Sequence, residues 1–221
     1  MQSEINTVVP SQLEALPRSF YTKDTIEASK ALLGHWLLRR IDGVLCGGPI
    51  VETEAYLTND PACHAYLKET PRNRSMWGAP GHAYVYRIYG YHFCFNAVCR
   101  PASIAEAVLV RGIEPQFGIE TLRQFRTADD KNLTNGPAKF CAAMNIELGL
   151  DGSDICSIDA PIFIARNPDV EEFCDNRGPL VETTRIGITK AADWPLRWYL
   201  DGSRHVSKRV PKRMKALTQQ A

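Results

Sequence analysis

The sequence contains no apolar run long enough to be a secretory signal or a membrane span, and its opening, Met1-Gln2-Ser3-Glu4-Ile5-Asn6, is polar. That absence predicts a soluble, intracellular protein with no membrane partner. Closely paired cysteines are missing too. Cys46, Cys63, Cys94, Cys99, Cys141, Cys156 and Cys174 are odd in number and scattered, which argues against a zinc ribbon or disulfide scaffold and predicts free thiols. Neither H-E-x-x-H nor C-x-x-C occurs, and the adjacent Cys63-His64 lacks the spacing of a metal pair, so no metal is expected. There is no glycine-rich loop opening a helix and no G-x-S-x-G elbow. The first absence argues against nucleotide-phosphate binding and the second against that hydrolase class, and no cofactor is expected. Excess charge is also scarce. With 26 Lys+Arg against 25 Asp+Glu the net charge is +1, so any grip on nucleic acid must come from local patches.

What is present is material for one sizeable core: 221 residues, 44% of them hydrophobic, predict a single domain acting as a monomer. A fraying N-terminal segment (about 1–18) and a basic tail (about 208–221, with Lys208, Arg209, Lys212, Arg213 and Lys215) are expected at its ends. Asp24 with Glu27 has capping-box spacing before the stripe Ile26, Ala28, Ala31, Leu32, Leu33, and Gly34 ends that helix. Strands are predicted at Trp36 to Ile41 and Pro49 to Leu57, with Asp42-Gly43 and Gly47-Gly48 as the loop between them. Residues 58–82 read as a long irregular segment, which in a compact domain is usually functional. A hairpin follows from Tyr84 to Val98 around Gly90, then a strand from Ala107 to Ile113. Helices are expected over Glu120 to Phe125 and from Asn135-Gly136-Pro137 onward. Strands at Ile162 to Ile164, Thr184 to Ile188 and Arg197 to Leu200 complete an α+β fold on one strongly curved, mainly antiparallel sheet.

Alternation in Pro49 to Tyr56 places Glu52, Glu54 and Tyr56 on one strand face, toward water or a cleft, with Val51, Thr53 and Ala55 on a core. A carboxylate beside an aromatic plate suits chemistry on a flat bound ring, although a solvated sheet face accounts for this segment equally well. Tyr89, beside Gly90 at the hairpin tip, cannot easily fold back on the sheet. It reads either as a wedge between base steps or as a tyrosine lying over a neighbouring loop. Arg72, Arg74 and Arg87 lie near it in sequence and suit phosphate contacts, as does Lys139 in the helix after Pro137, unless they are simply solvated. On the second hairpin arm His92, Cys94, Asn96 and Val98 share a face, which makes Asn96 a candidate polar reader or a satisfied sheet amide. His64 either lines the same pocket or is a surface residue.

Taken together these residues resemble the alkyladenine (3-methyladenine) DNA glycosylase family. The segments that carry the resemblance are Leu32-Leu33-Gly34, Ile50 to Tyr56, Thr70-Pro71-Arg72-Asn73-Arg74, Tyr84 to Gly90, Asn96, Val110-Arg111 and Asn135-Gly136-Pro137, in order from roughly Phe20 to Ser207. The resemblance implies a mixed domain on a curved antiparallel sheet that flips damaged purines from duplex DNA and cuts the N-glycosidic bond. It implies that Glu54 is the general base for water, with Arg111 holding that water and the nucleotide's phosphate. Tyr56 would stack on the base, His64 and Tyr86 would close the other side, and Tyr89 would fill the gap in the duplex. Asn96 would disfavour guanine, and Ile188 would contact the base edge through its backbone. Tyr91-His92 and Trp77 depart from the family's usual residues. Two other readings use part of the same pattern: a lesion-binding protein without catalysis, and a nucleoside hydrolase acting on small substrates.

Overall fold

Asp24 opens a helix as its spacing predicts, accepting from the Ile26 and Glu27 amides at 2.9 and 3.3 Å and so satisfying two donors that no helical carbonyl can reach. The computed structural model describes residues 13–210. In chain order the elements begin with Arg18–Tyr21 (α1), Thr25–Ala31 (α2), Trp36–Ile41 (β1), Val44–Tyr56 (β2), Ala83–Ile88 (β3), His92–Cys99 (β4) and Glu106–Ile113 (β5). They continue with Ile119–Phe125 (α3), Asp130–Leu133 (α4), Pro137–Ala143 (α5), Ile162–Ala165 (β6), Val170–Asn176 (α6), Leu180–Thr183 (β7) and Arg197–Leu200 (β8). The class is α+β: one domain on a curled antiparallel sheet of order β3-β4-β5-β2-β1-β6, with β8 joining β2 to β7.

The long strand β2 organises this sheet. Its first half pairs with β1 from Ile41↔Val44 to Trp36↔Pro49. Its second half takes β5 on one edge and β8 on the other, with Glu54 opposite Leu109 and Arg197. Register shifts on either side of Glu52 mark a bulge, which bends a strand and re-aims its side chains. Period-two alternation then divides the sheet. Val85, Phe95, Ala97, Val108 and Val110 enter the main core beside Ala28, Leu32, Phe140 and Cys141 of the helical side. Tyr84, Val98 and Ala107 enter a smaller cluster with Cys63, Ala65 and Met76 from the irregular segment, and Tyr56, Trp77 and Tyr86 pack against it.

Several expectations are corrected. Gly47 and Gly48 lie inside β2, and the turn is the two residues Asp42-Gly43 alone. A Cβ on Gly47 would sit 2.1 Å from the Leu37 carbonyl oxygen and one on Gly48 2.0 Å from that of Glu114, so close backbone approach, not turning, requires glycine here. Thr184 to Ile188 is not a strand; the strand is Leu180–Thr183, and the chain leaves the sheet because Arg185 and Ile186 turn in to bond other groups. The predicted strand ending at Leu57 stops at Tyr56. Residues 13–18 do not fray: the Leu16 amide donates to the Ile164 carbonyl at 2.8 Å, Leu16 is fully buried, and Arg18 pairs with Asp154 at 2.6 Å. Residues 1–12 and, in the basic tail, Lys212, Arg213 and Lys215 lie outside the described residues.

All seven cysteines are free. Burial is the largest influence on each, and raises every thiol, to about 11 at Cys63, Cys94 and Cys156.

His35 makes the fold pH-sensitive. Its buried ring accepts at Nδ1 from the Asn167 amide at 3.2 Å, and burial, then the Arg166 charge, lowers its pKa from 6.5 to about 4. The unfolded chain therefore takes this proton first. The contribution is fully present above pH 6.5 and is lost as pH falls toward 4, a loss of roughly 3 kcal/mol for this group. Urea unfolding of His35→Asn, which keeps an acceptor, is expected to show a shallower loss than the wild type across that window. A constant difference between the two proteins would exclude His35 as the source.

Candidate active site

The alternation that buries Phe93, Phe95 and Ala97 turns Cys94 and Asn96 to the other face of β4, where with Tyr84 and Tyr86 of β3 and Leu109 and Arg111 of β5 they line a cleft of about 300 Å³. Tyr56 from β2, His64 and Met76 from the irregular segment, Pro137 at the start of α5 and Ile186 to Ile188 complete its wall, and Tyr89 stands at its rim. The five residues expected in a base pocket, Tyr56, His64, Tyr86, Asn96 and Ile188, thus meet in one place, together with Arg111, which is expected to hold the water.

Glu54 lies directly behind this wall. It has no exposed surface: of the two alternatives for this strand face, water or a cleft, it turns to the cleft side and away from water, because β8 and the Ile186 turn cover that side of β2. Oε2 of Glu54 accepts from the Tyr56 hydroxyl at 2.9 Å; Oε1 accepts from the Ile186 amide at 2.8 Å and pairs with Nη1 of Arg111 at 3.2 Å. Burial pushes the Glu54 carboxyl above its usual range, opposed by Arg111, the Ile186 N–H and Tyr56. Burial alone would lower the Arg111 guanidinium, but Glu54 and Glu52 outweigh it and hold the charge in place. Tyr56 stays a phenol, since burial and the neighbouring Glu54 both raise it.

Glu52 faces the same arginine from the other side. Its Oε1 accepts from Nε of Arg111 at 3.0 Å, Nε of Arg197 at 2.7 Å and Oγ of Ser207 at 2.8 Å, while Oε2 accepts from the Ser207 amide at 2.6 Å. Sequence reading missed Arg197 and Ser207, because pairs separated by 145 and 155 residues leave no local signal.

The aromatic wall is built from paired rings. His64 stands edge-on to Tyr86 with centroids 4.5 Å apart, and its Nδ1 shares a hydrogen bond of 2.9 Å with the Tyr84 hydroxyl. Its inner edge is desolvated and Arg72 is near, which together lower its pKa to about 4. The ring's outer edge remains open to solvent, but a hydrated imidazole also titrates below 7, so the ring is neutral at pH 7. Tyr84 was not singled out from sequence, although its two-residue spacing from Tyr86 is the available signal. The Asn96 amide donates to the Tyr84 carbonyl at 2.9 Å, and the residue gives the cleft a polar side chain on β4.

At the hairpin tip Tyr89 is 83% exposed and adopts φ 47°, and Gly90 follows at φ 83°. A left-handed tyrosine is a strained choice for a turn, and such strain gathers at functional positions. Tyr91 beside it is 74% exposed, with its ring 4.3 Å from His92, so the departure from the family's usual residues puts a second aromatic at the tip. Trp77 lies away from the tip against the small cluster. Arg72, Arg74 and Arg87 are exposed: Arg72 lies over the Tyr86 ring at 5.7 Å and donates to the Arg87 carbonyl at 3.4 Å, and Arg74 pairs with Glu69 at 3.4 Å. Lys139 is half-buried, donating to Asn135 at 2.7 Å. Among the described residues no cluster of His, Cys, Asp and Glu suits a metal, and no helix is long and apolar enough to cross a membrane.

Comparison with known proteins gives the family. A protein from Methanoculleus marisnigri is 47% identical over 195 residues, 88% of this chain and 99% of its own length. Proteins from Carboxydothermus hydrogenoformans and Agrobacterium fabrum are each 45% identical over 195 residues, covering 99% and 93% of their own lengths. All three bear the name "Putative 3-methyladenine DNA glycosylase". The family profile described as Methylpurine-DNA glycosylase (MPG) matches residues 19–204, so the chain belongs to the methylpurine-DNA glycosylase family.

Proposed function

We propose that this chain is a monofunctional DNA glycosylase that extrudes an alkylated or deaminated purine from duplex DNA and hydrolyses its N-glycosidic bond with water activated by Glu54, initiating base excision repair. The observation that carries this reading is the buried Glu54 carboxylate, bonded to Arg111 behind an aromatic cleft. A carboxylate raised by burial is a stronger base, and Oε2 of Glu54, with Tyr56 as its donor, keeps acceptor capacity for a water. Since Glu54 has no exposed surface, lesion entry must displace Tyr56 or Arg111 slightly to admit that water.

An N-alkylated purine is cationic and already a good leaving group, and it stacks on electron-rich rings such as Tyr56 and Tyr86 through a cation–π attraction. The neutral His64 ring adds no repulsion against it. Hypoxanthine needs a proton on departure, so it is expected to leave more slowly. The damaged base pairs weakly, which lowers the cost of flipping. Arg72, Arg74, Arg87 and Lys139 are assigned to the DNA backbone, and Asn96 and the Ile188 backbone to the base edge.

The test is a duplex bearing one lesion, with borohydride present during turnover and alkali added afterwards. Among the described residues no lysine lines the cleft, so the expected result is base release, no trapped protein–DNA adduct, and strand breaks only after alkali. A borohydride-stable adduct would defeat the water mechanism. Release of base from free nucleoside as readily as from duplex would favour the nucleoside-hydrolase reading.

Tyr89→Ala is expected to lower the extruded population, because nothing then fills the vacated stack and the few kcal/mol that unstacking costs are less well offset. A 2-aminopurine reporter beside the lesion measures this. An unchanged signal would return Tyr89 to the role of a surface residue.

A further inference from the structure

We propose that the fully buried Asp60–Arg185 ion pair is a positioning device for excision, holding the Ile186 amide and the Tyr56 ring against Glu54. The proposal rests on the assignment of Glu54 as the base. The guanidinium of Arg185 makes several contacts at once. Nη2 donates to Oδ1 of Asp60 at 2.9 Å, Nη1 donates to Oδ2 of Asp60 and to the Ala55 carbonyl at 3.0 Å, and the guanidinium carbon lies 4.6 Å from the centroid of the Tyr56 ring. Both side chains have no exposed surface. Ala55 is the residue between Glu54 and Tyr56, and Ile186 is the residue after Arg185. One planar fork therefore fixes β2 at the base, the plate beside it and the amide that bonds Glu54 at 2.8 Å. Asp60 is itself held by the Ala62 amide at 2.9 Å, in the turn that leads to His64.

A buried ion pair is a weak way to add stability, because desolvation offsets most of the attraction, and a packed apolar pair often does as well or better. Its geometric role is therefore the better account of why it is there. Glu54 is faced by Glu52 and Tyr56 from β2, Arg111 from β5, Cys94 from β4 and Arg185 from the turn after β7; Arg197 of β8 binds Glu52. Two of the three donors that oppose its protonation, the Ile186 N–H and the Tyr56 hydroxyl, are anchored by Arg185. Without the anchor Glu54 protonates more readily, and the acid side of the rate profile moves to higher pH.

The experiment measures single-turnover excision of hypoxanthine from a duplex, at saturating protein, from about pH 5 to 9. It compares wild type with the double variant Asp60→Asn/Arg185→Gln, which strands no buried charge. The expected result is a rate at pH 6, relative to pH 8, about tenfold lower than in wild type, with duplex binding changed by less than about threefold. Arg185→Lys keeps the charge balance but not the fork, and is expected to shift in the same direction by less. An unshifted profile in either folded variant overturns the proposal. Failure of both to fold also overturns it, because the pair would then serve the fold alone. A wild type inactive on every lesion duplex would instead defeat the Glu54 reading, whereas an active wild type with unshifted variants defeats only the positioning role.

Discussion

Glu54→Gln is expected to lose excision by at least about 10²- to 10⁴-fold while still binding a lesion duplex. The amide keeps the volume of the carboxylate and an oxygen that accepts from the Ile186 N–H, while its NH2 can donate to the Tyr56 hydroxyl oxygen in place of accepting from it, so the cleft keeps its shape. What it loses is the capacity to take a proton from water. It also loses the negative charge that Arg111 faces at 3.2 Å, but Glu52 remains bonded to that guanidinium at 3.0 Å, so Arg111 stays placed. Single-turnover excision and a gel-shift measurement on the same lesion duplex separate the two effects. Near wild-type turnover would remove Glu54 from the chemistry, whereas loss of binding and turnover together would mean that the substitution had damaged the cleft.

Glu52→Gln should fail differently, through the fold. The substitution leaves two buried guanidiniums, Arg111 and Arg197, with Glu54 as the remaining carboxylate, and of these two Glu54 pairs with Arg111 and not Arg197. Removing one partner from a buried ionic cluster costs about 3–5 kcal/mol, a large part of a domain's total stability. Urea unfolding should show this as a lower midpoint. Excision per folded molecule should fall less than in Glu54→Gln, because the group that takes the proton is intact. A variant as stable as wild type would contradict the ionic account, and one as inactive per folded molecule as Glu54→Gln would mean that the wrong carboxylate had been chosen.

The parts of the fold that were legible in sequence are those fixed by near neighbours. The hairpin from Tyr84 to Val98, the Asp24 cap and Pro137 at the first position of α5 each follow from residues a few places apart. Gly47-Gly48 misled because glycine signals a turn locally, while here it answers to the carbonyls of Leu37 and Glu114 approaching from elsewhere. Thr184 to Ile188 misled because its β-branched and apolar residues match a strand, yet Arg185 finds Asp60 125 residues away and Ile186 finds Glu54 132 residues away. The cleft wall could be read from alternation, and the residues behind it could not. Tyr56 and Asn96 lie on strand faces that sequence spacing reveals and Tyr86 follows from the family resemblance, whereas Arg197, Ser207 and Asp60 reach the site through folded contacts alone.

Five of the seven cysteines are buried and two half-buried, which bears on the setting in which such a protein works. The agents that methylate purines also attack thiolates, and only the thiolate is strongly nucleophilic. Raised as they are, these thiols stay protonated near neutral pH, including Cys94 on the cleft itself. Electrophiles of the kind that create its proposed substrates would therefore meet its sulfurs chiefly as thiols, the less reactive form.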